Sequence, residues 1–253
     1  ELVARGDIYK KSYRGMYCVG HEAFITEKEL VDGKCPDHGT APEMLEEENY
    51  FFALSKYTSI LRDRIKNGTL SIEPASRRGE ILSVLESPEG LQDVSFSRPA
   101  QKNSWAIPVP NDSSQTIYVW CDALASYITA IGYGRDDASF KKWWPASYHV
   151  IGKDILRFHA AFWPAMLISA GIGDALPRIL VHGMITSGGR KMSKTLGNVV
   201  RPADLIQEYG KDALRYFIAR EIPTYEDGDM TPELFKAAYN ASLANGLGNL
   251  ANR

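Results

Sequence analysis

RILVHGMITSGGRKMSKT, residues 178–195, is the stretch that decides the fold and the chemistry of this chain. Its first part, Arg178–His182, is a short run of branched apolar residues and predicts a β-strand. Two glycines then loosen the chain ahead of Lys191 and Lys194, which stand three residues apart. Mobile lysine cations suit a triphosphate whose charge shifts during a reaction. The alternative interpretation of these residues is a solvated basic turn.

Outward from this stretch, strand-like and helix-like segments alternate. A strand at Tyr148–Gly152 and a helix over 154–170 precede the strand at Arg178–His182, which predicts an α/β fold with a parallel sheet. Ligand sites in such sheets lie at the carboxyl ends of strands, where we expect the segments after Trp120, Gly152 and Gly183. The other predicted elements are helices over 49–67, 77–86, 123–132, 202–209, 211–222 and 232–253, and extended segments over 105–110 and 116–120.

Composition excludes several classes of protein. The chain has 253 residues, a net charge of -2 and three cysteines. This charge gives no global signal for nucleic acid, so any RNA contact must be local. The sequence contains no apolar run of membrane-spanning length and no signal-peptide pattern. Three cysteines cannot all pair, which favours a reducing, cytoplasmic setting over a disulfide scaffold.

Cys18 and His21 form one C-x2-H pair, Cys35 and His38 form a second, and thirteen residues separate the two pairs. Four such side chains on two short turns are typical of tetrahedral Zn2+. A small region rich in turns buries little core, so a metal would be its main stabilising element. Two unrelated surface turns that contain Cys and His remain the alternative.

Two junctions between a strand and a helix carry candidate binding residues. At the first, Trp120 and Tyr127 offer aromatic faces to an apolar pocket, or they simply pack in a core. Cys121 is expected to be a core thiol. At the second, Gly152 permits close approach of the backbone. Asp154 would accept a ribose hydroxyl or cap the helix.

Further candidates lie close to these junctions. Ile155 and His159 are four residues apart and therefore share one face of a predicted helix. His159 would be a ligand contact or a satisfied core histidine. His182 and Gly183 would read the edge of an adenine, or they would only mark the end of a strand.

Together these segments resemble the methionyl-tRNA synthetase family of class I aminoacyl-tRNA synthetases, of the bacterial or organellar type with one zinc-binding insert. The segment from Lys191 to Thr195, called the lysine loop below, is close to the KMSKS signature of class I enzymes. It carries Thr195 where the signature ends in serine. The other matching segments are Tyr17-Cys18-Val19, Phe51-Phe52, Leu54 to Tyr57, Phe96-Ser97-Arg98, 105–110, Val119-Trp120, Asp122-Ala123, Gly152 to Ile155, Phe158-His159 and Phe162 to Ala165.

The resemblance implies a fold, a reaction and a set of site residues. The fold is the second half of a class I Rossmann-type nucleotide-binding domain with a zinc-knuckle insert and a C-terminal helical segment. Methionine and ATP, with Mg2+, would give methionyl-adenylate, and the methionyl group would pass to tRNA(Met). Lys191 and Lys194 would stabilise the pyrophosphate leaving group. The resemblance assigns ATP binding to Gly152, Asp154, His182, Gly183, Lys191, Ser193 and Lys194, methionine binding to Trp120, Ala123, Tyr127, Ile155, Phe158 and His159, and zinc to Cys18, His21, Cys35 and His38.

The chain also departs from the family pattern. The HIGH motif and the first half of the nucleotide fold would lie upstream, so we expect a fragment that is inactive alone. Leu124 stands in place of proline, and His21 in place of a cysteine ligand. The expected organisation is a connective insert over 1–98 with the knuckle at 13–40, the second catalytic half over 99–200, stem-contact helices over 201–235 and the start of the anticodon-binding bundle over 236–253.

Three other functions stay open from the sequence alone. One is a class I synthetase for leucine, isoleucine, valine or cysteine. Another is a non-catalytic tRNA- or metal-binding module derived from a synthetase, although such a module would not need the lysine loop. A bare nucleotidyltransferase would share the sheet but would not explain the Cys/His insert. The expected location is the cytoplasm or an organelle, and the oligomeric state is left open.

Overall fold

The computed structural model describes residues 1–20, 23–36, 38–101, 105–193 and 196–253. The chain forms two compact units, described separately below. Unit 1 comprises Glu1–Leu70, Ile81–Ala146 and Ala160–Pro177, and unit 2 comprises Ser71–Glu80, Ser147–His159 and Arg178–Arg253.

The strands in chain order are β1 (Ile8–Cys18), β2 (Ala23–Ile25), β3 (Glu43–Phe52), β4 (Ile72–Glu73), β5 (Val94–Ser95), β6 (Ser97–Pro99), β7 (Pro108–Val109), β8 (Asp112–Ile117), β9 (Tyr148–Gly152), β10 (Arg178–His182), β11 (Ile185–Ser187), β12 (Arg190–Lys191) and β13 (Gly228–Asp229). The α-helices are α1 (Thr58–Lys66), α2 (Ala75–Leu85), α3 (Val119–Thr129), α4 (Asp137–Trp143), α5 (Trp163–Ser169), α6 (Pro202–Tyr209), α7 (Lys211–Glu221), α8 (Pro232–Ala238) and α9 (Asn249–Asn252). Short 3-10 helices occupy Glu27–Glu29, Leu54–Tyr57 and Lys153–Ile155, and π-helical segments occupy Phe158–Phe162 and Tyr239–Gly248.

Unit 1 is built on an antiparallel sheet of order β2-β1-β3-β5. β1 and β3 pair continuously from Ile8 opposite Phe52 to Tyr17 opposite Glu43. The prediction of a helix over 49–67 is therefore wrong at its start, and α1 begins only at Thr58. Pairing along ten residues of β3 outweighs the helical spacing, because strand propensity and helix propensity both yield to tertiary context.

A second antiparallel sheet of unit 1 has the order β6-β8-β7 and leads into α3. The prediction that 116–120 is extended is wrong beyond Tyr118, since α3 starts at Val119. The helix wins because it buries Cys121, Leu124 and Ile128 along one face. Trp120 consequently lies in the first turn of α3. It does not follow a parallel strand, because β8 pairs only antiparallel in the described part of the chain.

The predicted parallel sheet is confirmed in unit 2, where the strand order is β4-β10-β9. The predicted helix over 154–170 is confirmed as a continuous helical stretch from Lys153 to Ser169, in which a 3-10 turn and a π-helical segment precede α5. Pro164 offers no N–H to the carbonyl of Ala160, and this missing i→i−4 donor lies where the π-helical segment meets α5.

A helical cluster completes unit 2. The helices predicted over 202–209 and 211–222 are confirmed as α6 and α7, and the helical stretch predicted from 232 onward continues through a π-helical segment. Its buried core consists of Leu205, Ala213, Leu214, Phe217, Met230 and Phe235. Within the described residues, no helix is both long enough and apolar enough to cross a membrane.

Candidate functional site

The carboxyl ends of β9 and β10 meet as the sequence predicts. Gly152 is the register partner of His182 on the neighbouring parallel strand. A Cβ atom added to Gly152 would lie 2.9 Å from Asp154 Oδ1 and 3.7 Å from His182 Cε1. The three residues therefore surround one small space at the sheet edge, the usual position of a ligand in an α/β fold.

Asp154 is exposed and lies inside the 3-10 helix Lys153–Ile155, whose N-cap is Gly152. Its carboxylate forms no hydrogen bond or ion pair with any other residue that the structure describes. The interpretation of Asp154 as a helix cap is therefore wrong. A carboxylate at the end of a strand, without a protein partner, can accept hydrogen bonds from sugar hydroxyls.

His182 and Gly183 have different local roles. His182 Nδ1 donates a hydrogen bond to the Gly183 carbonyl oxygen at 2.7 Å, which leaves Nε2 as the acceptor in the neutral ring. A Cβ atom on Gly183 would lie 2.0 Å from the Glu226 carbonyl oxygen. Glycine at 183 is thus required by the packing of backbone against backbone.

The lysine loop is a tight hairpin. β11 and β12 pair through Thr186 opposite Lys191, and Gly188 and Gly189 connect them with φ values of 63° and 70°. Positive φ at both turn residues matches the two-residue turn that best fits the twist of paired strands. The Lys191 side chain is exposed at the end of this hairpin. Lys194 and Thr195 lie outside the described residues.

One group of the expected methionine-binding residues belongs to unit 1. Trp120, Ala123 and Tyr127 follow the helical repeat along one face of α3, where Ala123 and Tyr127 are exposed. The Tyr127 ring packs edge-on against Trp163, with 6.0 Å between ring centroids. Cys121 lies in the core as expected, and burial raises the pKa of its thiol.

The second group belongs to unit 2. His159 is 1% exposed, and its Nδ1 donates a hydrogen bond to the Ile155 carbonyl oxygen at 3.1 Å. Ile155 and Phe158, which are close to His159 in the sequence, are half-buried. Sequence analysis missed His149, whose ring lies 5.7 Å from the His159 ring in an edge-to-face arrangement. His149 and Ile151 are two residues apart in β9 and share its buried face, so the burial of His149 could have been predicted from the strand period.

The two imidazoles are held neutral. Burial lowers the pKa of His159. Burial, and next the neighbouring His159, lower the pKa of His149 to about 4. A protonated ring in this environment is disfavoured because the charged form loses its hydration. At neutral pH this part of unit 2 therefore offers uncharged rings.

The pKa of His149 predicts how stability depends on pH. The unfolded chain, with a histidine pKa of about 6.5, binds more protons than the folded chain between that pH and about pH 4. The free energy of unfolding should therefore fall by about 2 kcal/mol between pH 7.5 and pH 5. Urea unfolding at both pH values measures this, and His149→Gln should flatten the dependence. An equally steep dependence in the variant would contradict this assignment.

A thiol and imidazole cluster lies in unit 1. The ligand atoms of Cys18, Cys35 and His38 all lie within 4.8 Å of one another. His38 Nδ1 is 3.7 Å from Cys18 Sγ and 3.4 Å from Cys35 Sγ. Both thiols are buried, each 1% exposed. A Cβ atom on Gly20 would lie 2.5 Å from the His38 ring, so this position requires glycine.

The spacing of the cluster fits zinc. Bond lengths of about 2.3 Å to sulfur and about 2.0 Å to nitrogen, at tetrahedral angles, place a thiolate sulfur and an imidazole nitrogen about 3.6 Å apart. The two distances from His38 to the cysteines bracket that value. His21, the fourth expected ligand, lies outside the described residues.

Comparisons with known proteins show which family the chain resembles. The family model described as tRNA synthetases class I (M) matches residues 37–253. Methionine–tRNA ligases of Clostridium perfringens and Brucella suis are each 48% identical to the chain, cover all of it, and are themselves covered over 39% and 49% of their lengths. The chloroplastic/mitochondrial methionine–tRNA ligase of Arabidopsis thaliana is 46% identical over 100% of the chain and 41% of the relative.

Solved structures give the same result. The Mycobacterium tuberculosis methionyl-tRNA synthetase bound by methionyl-adenylate superposes with a TM-score of 0.88 at 43% identity, over 100% of this chain and 50% of that one. The apo form of that enzyme superposes with a TM-score of 0.83. The chain thus spans half or less of the length of these relatives. The mixed α/β fold and the match over most of its residues show that the chain belongs to the class I tRNA synthetase family of the methionine type.

Proposed function

We propose that this chain supplies the section of a methionine–tRNA ligase that holds the nucleotide and part of the methionine. The observation that carries the proposal is the meeting of Gly152, Asp154 and His182 at the carboxyl ends of β9 and β10. It supports a nucleotide site at the edge where α/β folds bind ligands. The relative with a TM-score of 0.88 was solved with methionyl-adenylate.

The proposed reaction has two steps. A carboxylate oxygen of methionine attacks the α-phosphorus of ATP, and pyrophosphate leaves as methionyl-adenylate forms. The terminal adenosine of tRNA(Met) then attacks the methionyl carbonyl carbon, and AMP leaves. Neither step needs a covalent intermediate with the protein, so the chain acts by positioning its substrates and by stabilising charge.

Each residue of the proposed nucleotide site has a role that follows from its chemistry. Asp154 accepts hydrogen bonds from the ribose, and Gly152 leaves space for it. His182 and Gly183 lie beside the base. Lys191 and Lys194, with the Mg2+ that accompanies ATP, stabilise the negative charge that gathers on the leaving pyrophosphate. Ser193, between the two lysines, completes the phosphate contacts.

Aromatic and polarizable contacts suit the thioether of methionine. By the resemblance to the family, we assign contacts with its side chain to Trp120, Ala123, Tyr127, Ile155, Phe158 and His159. Contact with aromatic rings stabilises a thioether sulfur. Neutral histidines fit this substrate, because the side chain carries no charge for an imidazolium to pair with.

The pocket assignment predicts how a substitution changes kinetics. In the full-length protein that carries this chain, His159→Ala should raise the KM for methionine by roughly 10- to 30-fold and leave the KM for ATP within about twofold. The reason is that His159 is assigned to the methionine side chain and not to the nucleotide. Steady-state ATP–pyrophosphate exchange measures both constants, with Asn67→Ala as a control in an exposed turn. Equal losses for both substrates would make His159 a structural residue.

We also propose that Cys18, Cys35 and His38, together with His21, hold one structural Zn2+. The ion would cross-link two short turns that bury little apolar surface. The buried thiols and the spacing of their ligand atoms support this role. The four domains expected from the sequence and a cytoplasmic or organellar location remain part of the proposal, the latter supported by a relative named for chloroplasts and mitochondria.

A further inference from the structure

We propose that Asn198 is a positioning residue that fixes the backbone of the lysine loop, so that Lys191 is presented to the nucleotide in a single arrangement. The inference rests on the proposed function, because it concerns how Lys191 meets a phosphate. Asn198 follows the lysine loop in the chain and returns its side chain to the backbone of Lys191 and Ser193. No contact of Asn198 with a substrate is required.

The Asn198 amide uses both of its ends on the loop. Its Oδ1 accepts a hydrogen bond from Ser193 N at 2.8 Å, and its Nδ2 donates to the Lys191 carbonyl oxygen at 3.2 Å. A longer contact of 3.5 Å joins Nδ2 to the Ser187 carbonyl oxygen. One half-buried side chain therefore ties the backbone on both sides of Met192 to the preceding strand.

A second contact holds the other side of the hairpin. Asp229 Oδ1 accepts hydrogen bonds from Gly189 N at 3.0 Å and from Thr186 Oγ1 at 2.7 Å. The hydrogen bond from Gly189, followed by that from Thr186, lowers the pKa of Asp229 and keeps it ionised. Asp229 also lies opposite Thr186 in the β11–β13 ladder. The turn that precedes Lys191 is thus fixed to a neighbouring strand.

Met192 provides a third contact. Its side chain packs against the buried cluster around Leu205, Phe217 and Phe235. The backbone from 189 to 193 is therefore held by a carboxylate, an apolar core and an amide, while the Lys191 side chain stays exposed. A cation on a fixed backbone with a free side chain stabilises developing charge with little reorganisation.

The chemistry of asparagine explains the residue type. Ser193 N needs an acceptor, and the carbonyl oxygens of Lys191 and Ser187 need a donor. A neutral amide supplies both. Aspartate keeps the acceptor but loses the donor, and it brings a negative charge to the backbone of Lys191. Alanine loses both, so the two substitutions separate the contributions of the two ends.

The proposal is tested by kinetics of the full-length protein. Asn198→Ala should lower the kcat of methionine-dependent ATP–pyrophosphate exchange by roughly 10- to 100-fold, and the KM for methionine should stay within about twofold. Asn198→Asp should also lower this kcat, by at least about tenfold. Asn67→Ala is the matched control, since Asn67 Oδ1 accepts hydrogen bonds from Thr69 in an exposed turn and has no part in the loop. Its kinetics should equal those of the unmodified protein.

A second readout does not depend on activity. Trypsin cleaves after Arg190, Lys191 and Lys194, so the rate of cleavage at these sites in the full-length protein reports how firmly the loop backbone is held. Asn198→Ala should accelerate cleavage there, and Asn67→Ala should not. Mass spectrometry of the early fragments identifies the sites.

The outcomes distinguish the two proposals. If the unmodified full-length protein shows no methionine-dependent exchange, the proposed function fails, and proteolysis alone still judges the loop. If the protein exchanges normally but Asn198→Ala matches it in kcat and in cleavage rate, the positioning role is overturned. A fall of kcat together with higher KM for both substrates and a lower Tm would also overturn it, since that pattern indicates general loss of structure.

Discussion

Lys191→Ala is expected to lower the kcat of methionine-dependent ATP–pyrophosphate exchange by about 10²- to 10³-fold. Lys191 ends a hairpin whose backbone is fixed on both sides, and its ammonium group is exposed toward solvent. The change removes a cation that meets the leaving pyrophosphate, where the charge increases most in the transition state. The KM for methionine should change by less than about threefold, because the methionine residues are untouched.

Arg190→Ala is the matched control for this change. Arg190 precedes Lys191 in the same short strand, and successive side chains of a strand point to opposite faces. Its removal should leave kcat within about threefold of the unmodified protein. Equal losses in the two variants would mean that the loop contributes only general positive charge. An unchanged kcat in Lys191→Ala would remove this lysine from the mechanism.

The second large effect concerns the thiol and imidazole cluster. Full-length protein prepared with sufficient zinc should contain about one Zn2+ per chain, and Cys35→Ser should contain close to none. Structural zinc supplies on the order of 10 kcal/mol in small peptide sites, so its loss should open the turns of residues 18–40. Plasma mass spectrometry measures the zinc, and limited proteolysis of that segment measures the opening.

Cys121→Ala is the control for the zinc experiment. Cys121 is also a buried thiol of unit 1, but it lies in the core face of α3, and its Sγ is 3.9 Å from the Phe96 carbonyl oxygen. This variant should keep its zinc. A zinc content near zero in the unmodified protein, after preparation with added metal, would leave the cluster as a metal-free turn. Loss of zinc from Cys121→Ala would assign the binding to a different site.

Local sequence predicted those elements whose signal lies within the element itself. The apolar runs of β9 and β10 and the glycine that ends β9 are local features, and the structure has them as predicted. The end of β3, residues 49–52, is predicted as a helix because its pairing with β1 depends on residues more than thirty positions away. Trp120 is predicted to lie in a strand because aromatic and branched residues favour strands. In the structure it lies in a helix, because the following turns of α3 bury apolar side chains.

The same distinction holds for the candidate site. Gly152, Asp154 and His182 were predicted together because parallel strands bring their carboxyl ends to one edge. Asn198 and Asp229 were missed, since their importance comes from contacts with the backbone of other segments. Only the folded hairpin shows which carbonyl or N–H group each side chain meets. The roles of all these residues in catalysis are proposals that the variants above test.

The central claim is that this chain serves methionine activation, and amino-acid-dependent ATP–pyrophosphate exchange by the full-length protein tests it most directly. Methionine, leucine, isoleucine, valine and cysteine should be compared at equal concentrations. The account predicts exchange with methionine at a kcat/KM at least about 100-fold above that with any of the others. Exchange that prefers another amino acid, or none with methionine, would contradict it.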